Sequence, residues 1–292
     1  MEKYGQTLRK IRLQKGYTLQ QLANGILSVS FLSKFERGES EISLHNFVQL
    51  LNRLAVSFDE FFHLHHGVLE TFETFFDEAD EAFVNRDFTT IRRLRKVQHE
   101  KWQDEQMDQY LCNTVMLDIY DSILSNEIIS AEDEAVKTLY EYLFNTEVWG
   151  NYEMRLYNST MLSMPLEMVL VLSKTAFEKG YEYRGMRESK KMLTGILLNT
   201  LIYLTGGEGK FRYVEEVEQF FKYIEKLGIP ENDLYSRNFF MQVKGIYEIR
   251  KGNREKGMEL VQQASKISSQ LGSHFLAKQI DAYLDIVLEK ES

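Results

Sequence analysis

Apolar residues recur at three- and four-residue spacings along the chain, and no segment sustains a two-residue alternation, so helices are predicted throughout. In the first stretch Leu8, Ile11 and Leu13 fall near one face, with Arg9, Lys10, Arg12 and Lys15 around the rest, until Gly16 ends the helix. Thr18 offers a cap hydroxyl and Gln21 stands at capping-box spacing. A second helix, buried through Leu19, Leu22 and Ala23, therefore starts there and ends near Asn24 and Gly25. Ser28 caps a third helix with apolar positions Phe31, Leu32 and Phe35, closed by Gly38. A fourth, residues 44–54, buries Phe47, Val48, Leu50, Leu51 and Leu54, and a fifth, residues 58–64, follows Ser57.

From Val68 onward, amphipathic stretches of 15 to 20 residues alternate with short polar breaks at 85–87, 125–126, 149–151, before Pro165, and at 179–185, 205–210, 228–232, 251–253 and 271–274. About ten or eleven helices joined by short turns follow, the pattern of an α-solenoid. Only two prolines occur, Pro165 and Pro230, and both stand at breaks. Asn113, Asn158, Asn199 and Asn238 recur at steps of 45, 41 and 39 residues. Such steps match helix-turn-helix repeat units of about 34 to 47 residues, in a place where asparagine is a poor helix former. In phase, the four would stack along one face, where their amides either hold the backbone of an extended peptide or bond between helices. The stretch GNREKGMELVQQASKISSQLG looks like a tetratricopeptide turn and second helix, with Gly245, Gly257 and Ala264 small where helices approach. The fold class is thus all-α: a small helix-turn-helix domain over residues 1–66, then a tetratricopeptide-like α-solenoid over residues 67–292.

Composition narrows the function. The 292 residues include one cysteine, Cys112, so no disulfide framework or cysteine-based zinc site is expected and a reducing cytoplasm suits the chain. No signal peptide and no apolar run near membrane-span length is visible. A net charge of −9 speaks against nucleic acid until it is divided. Residues 1–56 carry eight lysines and arginines against four acids, a local net of +4, which leaves −13 for the rest. A basic head on an acidic body is the asymmetry of a polyanion-binding module joined to something else.

The string TLQQLANGILSVSFLSKFERGESEISLHNFVQLLNRLAVSFDEFF resembles the lambda-repressor-like (XRE) helix-turn-helix family across residues 4–64. Its third helix would enter the major groove. Lys34 would then donate to a guanine edge, Ser28, Ser30 and Ser33 reach base or phosphate, and Val29 meet a thymine methyl. Gln20 and Gln21 open the second helix, where a phosphate fits, and Arg9, Lys10 and Arg37 are expected backbone clamps beside Arg12. The resemblance also implies a partly buried ion pair between Arg12 and Glu36. So few cations bind weakly at physiological salt, which makes dimerisation on a two-fold site a natural requirement.

Head and body together resemble the Rgg family of Gram-positive transcriptional regulators, through SFLSKFERGESEIS, VWGNYEMRLYN and LLNTLIYL and through overall length. That resemblance implies a cytoplasmic homodimer that binds double-stranded DNA at promoters. It also implies a short hydrophobic signalling peptide on a concave face that includes Tyr152, Arg155, Asn158, Asn199, Asn238 and Gln242. Peptide binding would alter head spacing or contacts with RNA polymerase. The alternative is a helical scaffold that recruits a protein partner to DNA without a peptide.

An enzyme is not expected. Gly206, Gly207, Gly209 and Lys210 lack phosphate-loop spacing and the following Ser/Thr, and His63, His65 and His66, without carboxylates at ligand spacing, are expected as exposed linker residues. No metal or cofactor is implied. Six of the eleven methionines fall between Met154 and Met192, where flexible thioethers suit an adaptable groove or an ordinary core. Cys112 is expected to be a small buried residue.

Overall fold

The computed structural model describes residues 4–65, 71–125, 127, 133–206 and 211–290, and among these every regular element is helical. The chain divides into two compact units, residues 1–77 and 78–292.

The first unit holds α1 (Tyr4–Gln14), α2 (Leu19–Ala23), α3 (Val29–Glu36), α4 (Leu44–Leu54) and α5 (Phe58–Leu64). Their ends are set by side chains. Thr18 Oγ1 accepts from the Gln21 amide at 3.1 Å while Gln21 Oε1 accepts from the Thr18 amide at 2.8 Å, a complete capping box. Ser28, Ser43 and Ser57 each cap the next helix in the same way. Leu8, Leu22, Leu32, Leu50, Leu51 and Phe61 meet in one core. Leu13, expected inside, is 58 % exposed. The buried stripe of α1 runs through Leu8, Ile11 and Arg12, and Leu13 lies about 200° around the helix from Ile11. Phe31 is likewise 38 % exposed, on the flank of a stripe made by Leu32, Phe35 and Glu36, and Val48 is half-buried.

α6 (Phe72–Val84) crosses from the first unit into the second. Beyond it stand α7 (Phe88–Glu105), α8 (Asp108–Ser125), α9 (Glu134–Asn145), α10 (Asn151–Thr160), α11 (Leu166–Gly180), α12 (Arg187–Thr205), α13 (Val214–Leu227), α14 (Leu234–Arg250), α15 (Arg254–Gln270) and α16 (His274–Lys290). The even-numbered helices α8, α10, α12, α14 and α16 pack side by side in series, and the odd-numbered ones attach to that row. All four phased asparagines belong to the row. One break carried no sequence signal: α7 ends at Gln106, a non-glycine residue in the left-handed region (φ 55°), and α8 begins two residues later. At the α14 and α15 crossing the backbones touch. A Cβ on Gly245 would stand 2.7 Å from the Gly257 carbonyl oxygen, and one on Gly257 would stand 2.5 Å from that of Gly245, so neither position admits a side chain without separating the helices. Beside them Ile246, Ile249, Val261, Ala264 and Ile280 form the C-terminal core. Met154, Met161 and Met164 are fully enclosed and act as core; Met186 is exposed.

Candidate functional site

In the head, the expected ion pair is the hinge of the geometry. Arg12 Nε and Nη2 reach Glu36 Oε1 and Oε2 at 2.6 and 2.7 Å, Nη1 donates to the Tyr17 carbonyl at 2.8 Å, and the two side chains are 7 % and 3 % exposed. The Glu36 hydrogen bonds raise the Arg12 pKa further above its ordinary value, against the effect of burial. Arg12 is therefore a lock between α1 and α3, with its guanidinium enclosed by protein, and it does not stand among the outward cations with which the sequence grouped it. Gln20 and Gln21 are both exposed at the start of α2, and the amide oxygen of Gln21 also closes the capping box. Ser28 is the α3 cap and also lies 3.2 Å from the Ser30 hydroxyl.

On the outer side of α3, Val29, Ser30 and Lys34 are exposed, with Phe31 beside them. Arg37 is gripped at both sides of its guanidinium by Glu39, at 2.6 and 2.7 Å, and its third nitrogen donates to Ser33 Oγ at 2.6 Å. That grip lowers the Glu39 carboxyl from its ordinary value, so Arg37 reaches a phosphate only by exchanging Glu39 for it. Arg53, absent from the sequence expectations, donates to the carbonyls of Leu22 and Asn24 and so fixes the turn that leads to α3. Its long reach from α4 leaves no local signal. Arg9 and Lys10 are exposed on α1.

His65 departs from its expected exposure. It is buried, its ring stacks 12° from the plane of Phe61 and its Nδ1 lies 2.6 Å from Thr7 Oγ1, so it closes the end of the bundle. His63 is exposed, and His66 lies outside the described residues, as do Gly207, Gly209 and Lys210.

In the second unit, the phased asparagines bond between helices. Asn113 Nδ2 donates to Gln98 at 2.8 Å, and the Tyr152 hydroxyl sits 3.0 Å from Asn113 Oδ1 and 2.9 Å from the Gln109 carbonyl. Burial pushes the Tyr152 phenol far up, so it stays neutral. Asn199 Nδ2 donates to Asn158 Oδ1 at 2.9 Å, tying α12 to α10. Asn238 Nδ2 donates to the Ala264 carbonyl at 3.0 Å and to Ser268 Oγ at 2.8 Å on α15, while its Oδ1 is buried without a partner. Arg155 pairs with Asp80 at 3.0 Å, and Asp80 also accepts from the Tyr120 hydroxyl at 2.6 Å. The six residues expected along one face thus lie on three helices of the even row, α10, α12 and α14. Asn238 and Gln242 line a cavity of about 440 Å³ whose other walls include Ile202 of α12 and Leu276, Ile280 and Ile286 of α16. No sequence signal marked α16 as a wall.

The description "HTH-type transcriptional regulator Rgg, C-terminal domain" matches residues 91–282, and a helix-turn-helix model matches residues 8–61. The chain belongs to the Rgg family of HTH-type transcriptional regulators. Among solved structures, it is similar to the SHP pheromone receptor Rgg2 of Streptococcus dysgalactiae, at 25 % identity over 97 % of this chain and 99 % of that one, with a TM-score of 0.80. It shares its fold with a protein of Listeria monocytogenes EGD-e described as a transcriptional regulator, at 23 % identity over 99 % and 98 % of the two chains and a TM-score of 0.82. PrgX in complex with cCF10 overlays it at 17 % identity, over 99 % and 94 %, with a TM-score of 0.74. As an Rgg-family regulator the chain is DNA-binding, and the helix-turn-helix match spans α1 to α5. No described helix is long and apolar enough to cross a membrane.

Proposed function

We propose that this Rgg-family chain is a cytoplasmic homodimer that binds promoter DNA through residues 1–66 and is controlled by a short hydrophobic peptide held by residues 67–292, without catalysis. The observation that carries the reading is the apolar cavity in the even helix row, with Asn238 and Gln242 in its wall, in a chain that matches a pheromone receptor along almost its whole length. In this reading α3 lies in the major groove. Lys34 and Ser30 face base edges, Val29 and the exposed Phe31 face thymine methyls, and Ser28, Ser33, Gln20, Arg9, Lys10 and Arg37 face the backbone. Two heads would read half-sites about 34 to 36 Å apart. Along the body, Tyr152, Arg155, Asn158 and Asn199 continue the groove from Asn238 and Gln242. The peptide shifts the regulator toward the arrangement it binds better, by no more than its differential affinity, and changes head spacing or contacts with RNA polymerase.

Lys34→Ala tests the division of labour. It is expected to weaken binding to the chain's own promoter DNA by about 5- to 150-fold, with the melting temperature and peptide binding unchanged. Equal losses of DNA and peptide binding would contradict the assignment.

A further inference from the structure

We infer that Glu39 is a specificity-determining residue of the head: its carboxylate stands in for a DNA phosphate at Arg37, and only a duplex on which α3 is fully seated displaces it. This rests on the major-groove reading of α3 above and assigns to one acidic residue part of the discrimination between promoter and other DNA.

Three observations converge. First, the backbone that carries the pair is fixed. Arg37 is the C-cap of α3, and Gly38 follows it with φ 73°, a left-handed turn that glycine makes without steric cost. The Gly38 amide donates to the Phe35 carbonyl at 2.8 Å and the Glu39 amide to the Lys34 carbonyl at 2.9 Å, the Schellman closure of a helix. Main-chain hydrogen bonds thus return Glu39 against the end of α3. Second, the carboxylate meets the guanidinium as a phosphate would. Oε1 accepts from Nε at 2.6 Å and Oε2 from Nη2 at 2.7 Å, two parallel charge-assisted bonds. Nη1 donates to Ser33 Oγ at 2.6 Å, one turn back along α3, so the fork has a set orientation. Third, the pair stands in solvent, with side chains 47 % and 51 % exposed, and exposed pairs are individually weak, so another anion can take the place of Glu39 without disturbing the core. The Arg37 hydrogen bonds first, then the charges of Arg37 and Lys34, hold the Glu39 carboxyl below its ordinary value, so it is ionised at neutral pH. Lys34 and Arg37 are the two cations of α3 and its cap, and Glu39 offsets one of them.

A phosphate that presents two oxygens to the fork replaces both bonds that Glu39 gives up. Phosphate contacts depend on register, and on unrelated DNA a phosphate out of register cannot match two aligned bonds. Arg37 then stays with Glu39, whose negative charge faces the DNA backbone. The penalty falls on wrong sequences more than on the right one, which is how a repulsive element creates specificity.

The test titrates the full chain by fluorescence anisotropy against two duplexes of equal length, its own promoter DNA and a scrambled sequence of the same base composition, over a series of salt concentrations. Glu39→Gln keeps the size of the side chain and removes its charge. On the scrambled duplex it is expected to strengthen binding by about three- to tenfold and to steepen the logarithmic salt slope by about 1, as one further phosphate contact does. Affinity for the promoter is expected to rise by less than about twofold, with little change in melting temperature. In an Arg37→Ala background there is no fork to release, so the same substitution is expected to change the ratio of promoter to scrambled affinity by less than about 1.5-fold. Equal strengthening on the two duplexes, no strengthening on either, or the same loss of discrimination with and without Arg37 each overturns the assignment. Failure of the α3 reading itself shows separately: Lys34→Ala would then leave the preference for the promoter intact, whatever Glu39→Gln does.

Discussion

Arg12 and Glu36 show how one pair sets the head. Both are enclosed, and three guanidinium nitrogens are satisfied by the carboxylate and the Tyr17 carbonyl. Removal of one partner leaves a buried charge unmatched, at about 3–5 kcal/mol. Arg12→Ala is therefore expected to lower head stability by that amount in denaturant titration, whereas the double change Arg12→Met with Glu36→Leu restores much of it. A double variant no more stable than Arg12→Ala would contradict the pairing. Cys112 gives a second prediction at this scale. Burial, reinforced by Asp108, pushes its thiol up to about 12, so at pH 8 about 10⁻⁴ of it is thiolate. Disulfide reagents are expected to label it far more slowly in the native chain than in denaturant, and comparable rates would show it to be accessible. Both roles were legible in the sequence, the pair through its motif and the cysteine through its isolation. His65 was not. Its partner Thr7 is 58 positions away in sequence, and local pattern carries no information about which exposed-looking histidine such a contact captures.

At the scale of elements, the capping residues made the head readable: Thr18 with Gln21, Ser28 and Ser57 fix helix starts through atoms three residues apart, which is information local to the sequence. The break after α7 was hidden because Gln106 takes a left-handed conformation that glycine usually signals. The asparagine phase placed Asn113, Asn158, Asn199 and Asn238 in one helix row, but phase alone does not choose between ligand and neighbour. The nearest partners proved to be Gln98, each other, and the backbone of α15. The contact of Gly245 with Gly257 predicts a cost in the same terms. Gly245→Ala on α14 sets a methyl against Val261 and the Gly257 carbonyl and must push α15 away, so despite the better helix propensity of alanine it is expected to destabilise the body by about 1–3 kcal/mol. A variant as stable as or more stable than the parent would show that the helices separate freely.

For the whole molecule, the net charge of −9 is an average of two unlike parts, +4 over residues 1–56 and −13 over the rest. An acidic body disfavours contact with DNA outside the head, and sequence selection then rests on a few α3 side chains. Regulation in this account is a coupling of peptide affinity to DNA affinity, typically about 5- to 150-fold, and it must be reciprocal. The most direct measurement is a fluorescence anisotropy titration of the chain's own promoter DNA, with and without the short-peptide fraction of the producing culture. The account predicts saturable binding whose affinity changes at least about fivefold when the peptides are added. Tight DNA binding that is indifferent to every peptide fraction would contradict it and favour a scaffold that acts without a ligand.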